Sequence, residues 1–255
     1  MEKSSKILVL PDIHGRRFWK KPCEKIDEYD RVIFLGDYID PYDFEYISVE
    51  MAIENFKEII DFKKRNGDKV VLLLGNHDMP YAFSDYYHLS IYHCRHSKRH
   101  HDEISKLFVD NIDLFKICEI ESGIVFTHAG IESGWLEKVV GFDGDNIFDM
   151  RDVLNGLTKT KEGLVKLYSI TSERGGHNKY GSCIWTDVHD MMYDNDLGKP
   201  FNDVKQVFGH TIQAFYNSKR EVVFGKPFEF GNCKMVDTAN AYQLDSNTFE
   251  LNVVE

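Results

Sequence analysis

What the 255-residue chain lacks narrows its class before any motif is read. Its first apolar run, Ile7 to Leu10, is far too short for a membrane span or the core of a secretory leader, and it follows charged and polar residues from Glu2 to Lys6. A soluble, unexported protein with no membrane partner is expected. Paired cysteine spacing is also missing. Five cysteines, an odd number, fit a reducing compartment better than a disulfide framework, which points to the cytoplasm. Positive charge is short: 31 Lys and Arg against 42 Asp and Glu leave a net charge of -11. That balance argues against a general polyanion-binding surface, because nucleic-acid affinity rests on neutralising phosphates. Nucleic acid is a disfavoured partner, and any phosphate chemistry needs a local positive centre. No repeat, low-complexity tract or Pro/Ser-rich linker divides the chain, so one domain over residues 1–255 is expected. What is plentiful is apolar material, at 42% hydrophobic and 13% aromatic, enough for a sizeable core.

That material alternates in period. Lys6 to Leu10 (KILVL), Arg31 to Leu35 (RVIFL) and Lys69 to Leu74 (KVVLLL) are nearly continuous and rich in β-branched residues, as strands covered on both faces should be. Between the second and third, Val49, Ile53, Phe56 and Ile60 recur at helical spacing within Tyr46 to Asn66, and Gly67 follows as a stop. Arg16 to Glu28 reads as a weaker helix, broken early by Pro22. Strand–helix–strand–helix–strand is an α/β pattern with parallel pairing. Farther on, Phe115 to Ile120 and Ile124 to Thr127 flank a hairpin turn at Glu121, Ser122 and Gly123. Residues 132–167 read as polar and helical in pieces. Val204 to Phe208, Glu221 to Phe224, Cys233 to Asp237, Tyr242 to Leu244 and Phe249 to Val253 then read as strands, so the sheets should be mixed.

The strand ends carry the chemistry. LLLGNHDMP (Leu72 to Pro80) runs from apolar residues straight into Asn76, His77 and Asp78, which a strand built only to fill a core would not need. Asp12 and His14 follow the first strand and Asp37 and Asp40 the second; Thr127 and His128 close IVFTH, and Gly209 and His210 close VKQVFGH. Ligands of open α/β sheets collect outside the carboxyl ends of the strands, so these loops can converge on one site. A single Asp or His at a strand end is most often only a turn former. Five strand ends finishing this way are hard to obtain by chance.

DIHG (12–15), GDYID (36–40), GNHD (75–78), THAG (127–130) and GHT (209–211), in that order, resemble the calcineurin-like metallophosphoesterases. Within them the chain looks closest to the phosphoprotein phosphatase branch and its bacterial relatives, through CIWTD (183–187) and MVDTANAY (235–242). The resemblance implies a four-layer α/β/β/α sandwich of two mixed sheets with two divalent metals at the strand ends. Carried over by position, it gives Asp12 and His14 to one metal, Asn76, His128 and His210 to the other, and Asp37 as the bridge. His77 would serve the leaving group, oriented by Asp40. Carboxylate, imidazole and amide donors suit manganese, iron or zinc, whereas magnesium prefers oxygen, and manganese is the leading expectation. Such a pair would lower the pKa of a shared water and clamp the phosphoryl oxygens.

One departure stands out: the family block continues with an arginine where this chain has Pro41 and Tyr42. Arg174, in SERGG, is the expected substitute for gripping phosphate, against the plain reading of a surface ion pair. The run Tyr87 to His101 fits no standard zinc framework and reads as a lid or insertion loop, whose Arg95, Lys98 and Arg99 can approach an anion if it folds over the metals. Trp185 reads as core. The leading expectation is a binuclear phosphomonoesterase acting on a phosphoprotein or small phosphoester. The alternatives are a phosphohydrolase of nucleotides, dinucleoside polyphosphates or nucleic-acid ends, and a non-catalytic scaffold.

Overall fold

The computed structural model describes residues 5–90, 92–193 and 204–254; Glu2 to Ser4 of the leader reading and Ile91 of the 87–101 run lie outside them. Thirteen strands, β1 Lys6–Leu10, β2 Arg31–Phe34, β3 Val70–Leu73, β4 Phe115–Lys116, β5 Glu119–Glu121, β6 Ile124–Phe126, β7 Lys205–Phe208, β8 Ala214–Tyr216, β9 Val222–Phe224, β10 Phe228–Phe230, β11 Cys233–Met235, β12 Ala241–Asp245 and β13 Leu251–Val254, are found among the described residues. Six form one sheet in the order β13-β12-β1-β2-β3-β4, and five a second in the order β10-β11-β7-β6-β5. Both are mixed: β1, β2, β3 and β4 run parallel while β12 is antiparallel to β1, and β11, β7 and β6 run parallel between antiparallel edges.

The unbroken apolar runs are explained by two buried faces. Along β1, Ile7 and Val9 join Ile33, Val71, Phe126 and Val207 in a core between the sheets, whereas Leu8 and Leu10 join Val32, Phe34, Ile53 and Phe56 on the other face. Successive side chains of a strand point to opposite faces, so a strand clad on both sides cannot alternate with polar residues. Helix Val49–Asn66 supplies the outer cladding of the first sheet. It starts at Ser48, whose Oγ accepts from Met51 N at 3.2 Å, and stops at Gly67 with φ 53°. Loss of that cap would cost about 1 kcal/mol. Beyond the second sheet, Met150 and Leu154 of helix Ile147–Gly156 share a cluster with Ile120 and Val125. Helices, sheet, sheet and helices make the expected four layers.

Three local readings need correction. Arg16 to Glu28 is a single turn at Lys20–Cys23 followed by a 3₁₀ turn at Ile26–Glu28, because Pro22 has no N–H to extend a longer helix. Phe115 to Ile120 is two strands rather than one: β4 pairs with β3 in the first sheet and β5 with β6 in the second. At the crossover the N–H groups of Ile117 and Cys118 both donate to Asn155 Oδ1, which substitutes for a sheet partner. The hairpin turn itself falls where expected, with Ser122 and Gly123 both at positive φ (52° and 75°), as a two-residue turn matching strand twist requires. Finally, β8 and β10 were not foreseen from the pattern; β8 pairs with β9 as a separate ribbon on which Phe215 and Tyr216 are exposed.

Candidate metal centre

Parallel pairing puts the C-terminal ends of β1, β2 and β3 at one edge of the first sheet, and those of β6 and β7 at the matching edge of the second. The loops that follow bring together all six residues expected as ligands. Asp12, His14, Asp37, Asn76, His128 and His210 are all buried.

Asp37 is central. Its Oδ2 lies 3.5 Å from His14 Nε2 and 3.5 Å from His128 Nε2, while its Oδ1 accepts from His77 N at 2.9 Å. Both rings are oriented by backbone carbonyls: His14 Nδ1 donates to Ile39 O and His128 Nδ1 to Leu35 O, each at 2.9 Å. Committing Nδ1–H in this way leaves Nε2 as the free lone pair of a neutral imidazole, the arrangement usual for metal-ligating histidines. Asn76 Oδ1 then lies 2.9 Å from His128 Nε2 and 2.9 Å from His210 Nδ1, which are themselves 3.1 Å apart. Asn76 Oδ1 and His128 Nε2 are both acceptors, and facing acceptors need a positive centre. Triangle edges of this length suit donors sharing one ion at bond lengths of about 2.0–2.2 Å. Asp12 receives His210 N on both oxygens, at 3.0 and 3.1 Å, and belongs with Asp37 and His128 to a set whose ligating atoms lie within 4.8 Å of one another.

The backbone is shaped for this cluster. A β-carbon on Gly75 would stand 2.1 Å from Asp37 Oδ1, and one on Gly209 2.0 Å from Asp12 Oδ1, so only glycine admits either carboxylate. His14, Asp37, Asp40 and His210 all adopt positive φ, between 43° and 67°. Left-handed backbone at non-glycine residues costs of order 1–3 kcal/mol each and gathers where a site over-determines it.

Electrostatics fit cations. Burial first, then the Arg95 guanidinium, pushes His14 well below the ordinary imidazole range; burial first, then Arg174, does the same to His210. Burial and then the Asp37 carboxylate push Asp78 well above its usual range. Asp78 is structural: its carboxylate accepts from Asp37 N and Gly75 N at 2.8 Å and from Tyr38 N at 3.0 Å, locking two ligand loops together. His77 Nδ1 donates to Asp40 Oδ2 at 2.9 Å, and Tyr81 Oη donates to Asp40 Oδ1 at 2.6 Å. His77 also shares a ligand-sized cluster with His14 and Asp37, so the geometry admits it as a ligand as well as a leaving-group residue.

The remaining expected groups fall around this centre. Arg174 Nη2 pairs with Asp187 Oδ2 at 2.8 Å and donates to Thr211 Oγ1 at 2.7 Å, beside His210, while its Nε is buried without a partner. Trp185 is core, 1% exposed, with its ring edge-on to His210 and to His93. Of the 87–101 segment, His93 and Arg95 pack against the site, whereas Lys98 and Arg99 are exposed in a 3₁₀ turn. Its histidines form no metal cluster among the described residues.

Two charged residues were not singled out by sequence. Arg16, immediately after DIHG, is buried; it donates to Glu45 Oε1 at 2.7 Å and to Asp12 O at 3.1 Å. Asp237, following β11, is buried with neither carboxylate oxygen hydrogen-bonded, 4.0 Å from Arg16 Nη1. Burial first, then the Asp12 carboxylate, pushes it well above its usual range. Its position two residues past β11 was the available signal, the same habit that marked the other loops.

Residues 5–214 match the calcineurin-like phosphoesterases, and the chain belongs to that family. Among solved structures, a cold-active protein tyrosine phosphatase shares the fold at TM-score 0.55 and 14% identity, covering 99% of this chain and 79% of its own. A protein serine/threonine phosphatase from Saccharomyces cerevisiae follows at TM-score 0.47 and 13% identity (94% and 72% covered), as does a proposed diadenosine tetraphosphatase at 0.46 and 13% (99% and 94%). No curated protein sequence matches the chain. Among the described residues no helix is long and apolar enough to cross a membrane.

Proposed function

We propose that the chain is a binuclear metal-dependent phosphomonoesterase, of the protein serine/threonine phosphatase kind within its family. The observation that carries this is the placement of Asp37 Oδ2, 3.5 Å from the free nitrogens of both His14 and His128, where one carboxylate can serve two ions. Asp12 and His14 would hold the first ion, Asn76, His128 and His210 the second. The mixed donor set suits manganese, iron or zinc alike, and manganese is the ion taken first. When bound, such a pair supplies a water of lowered pKa and positive charge for the phosphoryl oxygens.

The chain's own residues then divide the work. His77, its Nδ1–H fixed on Asp40 and its ring in one cluster with His14 and Asp37, can hand a proton to the leaving oxygen. Arg174, which donates to Thr211 beside His210, is the second guanidinium for a substrate oxygen. All five cysteines are free, which accords with a reducing, cytoplasmic setting. Segment 87–101 acts as the cap of the site.

The deciding assay is phosphate release by metal-stripped protein from p-nitrophenyl phosphate, a phosphopeptide and a mononucleotide panel, with manganese added and withheld. Manganese-dependent turnover that vanishes in Asp37→Ala is expected. Turnover confined to nucleotides would replace phosphoprotein by nucleotide as the substrate class; stoichiometric metal binding without turnover on any of them would leave a scaffold.

A further inference from the structure

The loop after Asp40 carries no arginine, yet a guanidinium sits beside it. Arg95, from the 87–101 segment, places Cζ 3.6 Å from the centroid of the Tyr42 ring. Its Nε and Nη2 both donate to Asp40 O at 3.1 Å, and Nη2 lies 3.4 Å from each ring nitrogen of His14. Tyr42 in turn meets the His14 ring edge-on at 5.0 Å. We infer that Arg95 is the residue that grips the phosphoryl group on the His14 side of the centre, with Tyr42 as the platform that aims it. The inference rests on the phosphoesterase reading above and adds a contact supplied by a different part of the chain.

Charge is the first argument. Arg95 makes no ion pair with a carboxylate among the described residues; a carbonyl oxygen, an aromatic face and the His14 ring nitrogens receive it. A half-buried cation pointed at a cluster that would hold two divalent ions is repelled by them, and an unpaired charge removed from water is costly. A dianionic phosphoryl group lying between arginine and metals turns both repulsions into attractions. The second argument is donor supply. Nε and one Nη2 hydrogen go to Asp40, and Nη1 donates to no described residue, so part of the fork stays free for phosphate oxygens. Stacking on Tyr42 holds the plane of the guanidinium and limits the rotamer entropy lost on binding.

Position is the third. Arg95 flanks His14, while Arg174 donates to Thr211 next to His210, so the two guanidinia stand at opposite ends of the ligand set. The segment itself reaches across: His93 packs on Trp185, and a β-carbon on Gly175, the neighbour of Arg174, would touch His93 Nδ1 at 3.3 Å. Arg95 O also lies 3.2 Å from His77 Nδ1, within reach as a second acceptor beside Asp40. One residue thus joins the phosphate grip to the leaving-group histidine.

Titration of the manganese-loaded full chain with inorganic phosphate, followed by calorimetry alongside metal analysis, tests this without relying on turnover. Arg95→Ala should weaken phosphate binding about 10- to 100-fold with two metals retained, since charge-assisted hydrogen bonds are lost. Arg95→Lys, which keeps charge and fold but not the fork, should recover only part, and Tyr42→Leu should give an intermediate loss. In turnover, KM should rise more than kcat falls. Equal phosphate affinity in Arg95→Ala and the parent overturns the inference, as does a loss of metal together with phosphate, which would make Arg95 a support for His14. Parent protein that turns over substrate, with KM unchanged in Arg95→Ala, sinks this inference alone; parent protein that neither binds phosphate nor turns over sinks the phosphoesterase reading as well.

Discussion

His77 Nδ1 stands 2.9 Å from Asp40 Oδ2, and both side chains are buried. Tyr81 Oη holds the other Asp40 oxygen at 2.6 Å, so the carboxylate that fixes the His77 ring has little freedom to move. Asp40→Asn preserves shape but replaces the carboxylate that holds the His77 N–H. The expected result is a fall in kcat of about 10- to 100-fold on substrates with poor leaving groups and little change on p-nitrophenyl phosphate, whose leaving group needs no proton. His77→Ala should do the same while retaining both metals. Metal analysis decides the role: an ion lost in His77→Ala would make His77 a ligand, the other role its distances admit.

Gly209 and Asp12 meet so closely that a single methyl group would displace a ligand. Gly209→Ala should bind one equivalent of manganese instead of two, because the carboxylate oxygen 2.0 Å from the new β-carbon must swing away. Gly156, whose β-carbon would meet nothing within 4 Å and which has no positive φ, makes a matched control away from these loops. Retention of two equivalents in Gly209→Ala would show that the Asp12 loop yields more readily than its buried packing implies.

The buried thiols predict an alkaline limit. Burial pushes Cys23 and Cys233 up to about 12 from an ordinary 9.0. The sign follows from linkage: the unfolded chain releases these protons first, so the stabilisation is complete below pH 9 and is lost as pH rises toward 12. Each thiol contributes a slope of up to about 1.4 kcal/mol per pH unit in that window. Urea midpoints should hold between pH 7 and 8.5 and fall above 9, less steeply in Cys23→Ala. Parallel curves for the two proteins would remove Cys23 from the account.

Sequence carried most of the scaffold and much less of the periphery. β1, β2, β3 and helix Val49–Asn66 were legible because two-sided burial and a 3.6-residue stripe write themselves into composition. That Asp12, His14, Asp37, Asn76, His128 and His210 gather in one place was legible because each follows an apolar strand, while their choice as ligands came from the resemblance. Arg95 was legible only as one of three basic residues in the 87–101 segment, since its place depends on tertiary contacts that have no local signature: Ser97 N donates to Tyr81 Oη at 2.8 Å and His96 stacks on the Tyr81 ring at 4.8 Å, folding the segment back over Asp40. Short ribbon strands failed for a related reason. β8 is largely exposed, so its residues record no alternation between core and solvent.

Metal removal should therefore be felt by the whole fold. Five loops converge on donors that, without cations, bring acceptor against acceptor (Asn76 Oδ1 to His128 Nε2, 2.9 Å) and a carboxylate against buried rings. Ions that bind only the native state at about 100 times their Kd add about 2.7 kcal/mol per site. In a chain of this size each kcal/mol is worth about 2–4 °C, so chelation should lower the melting temperature by at least about 5–10 °C, and added manganese should restore it. Asp37→Ala, lacking the carboxylate shared by both ions, should melt at one temperature with or without chelator. A parent protein whose melting temperature ignores chelation, with two equivalents of manganese shown to be bound beforehand, would mean that the strand-end loops hold their left-handed backbone without help from the ions they are shaped to receive.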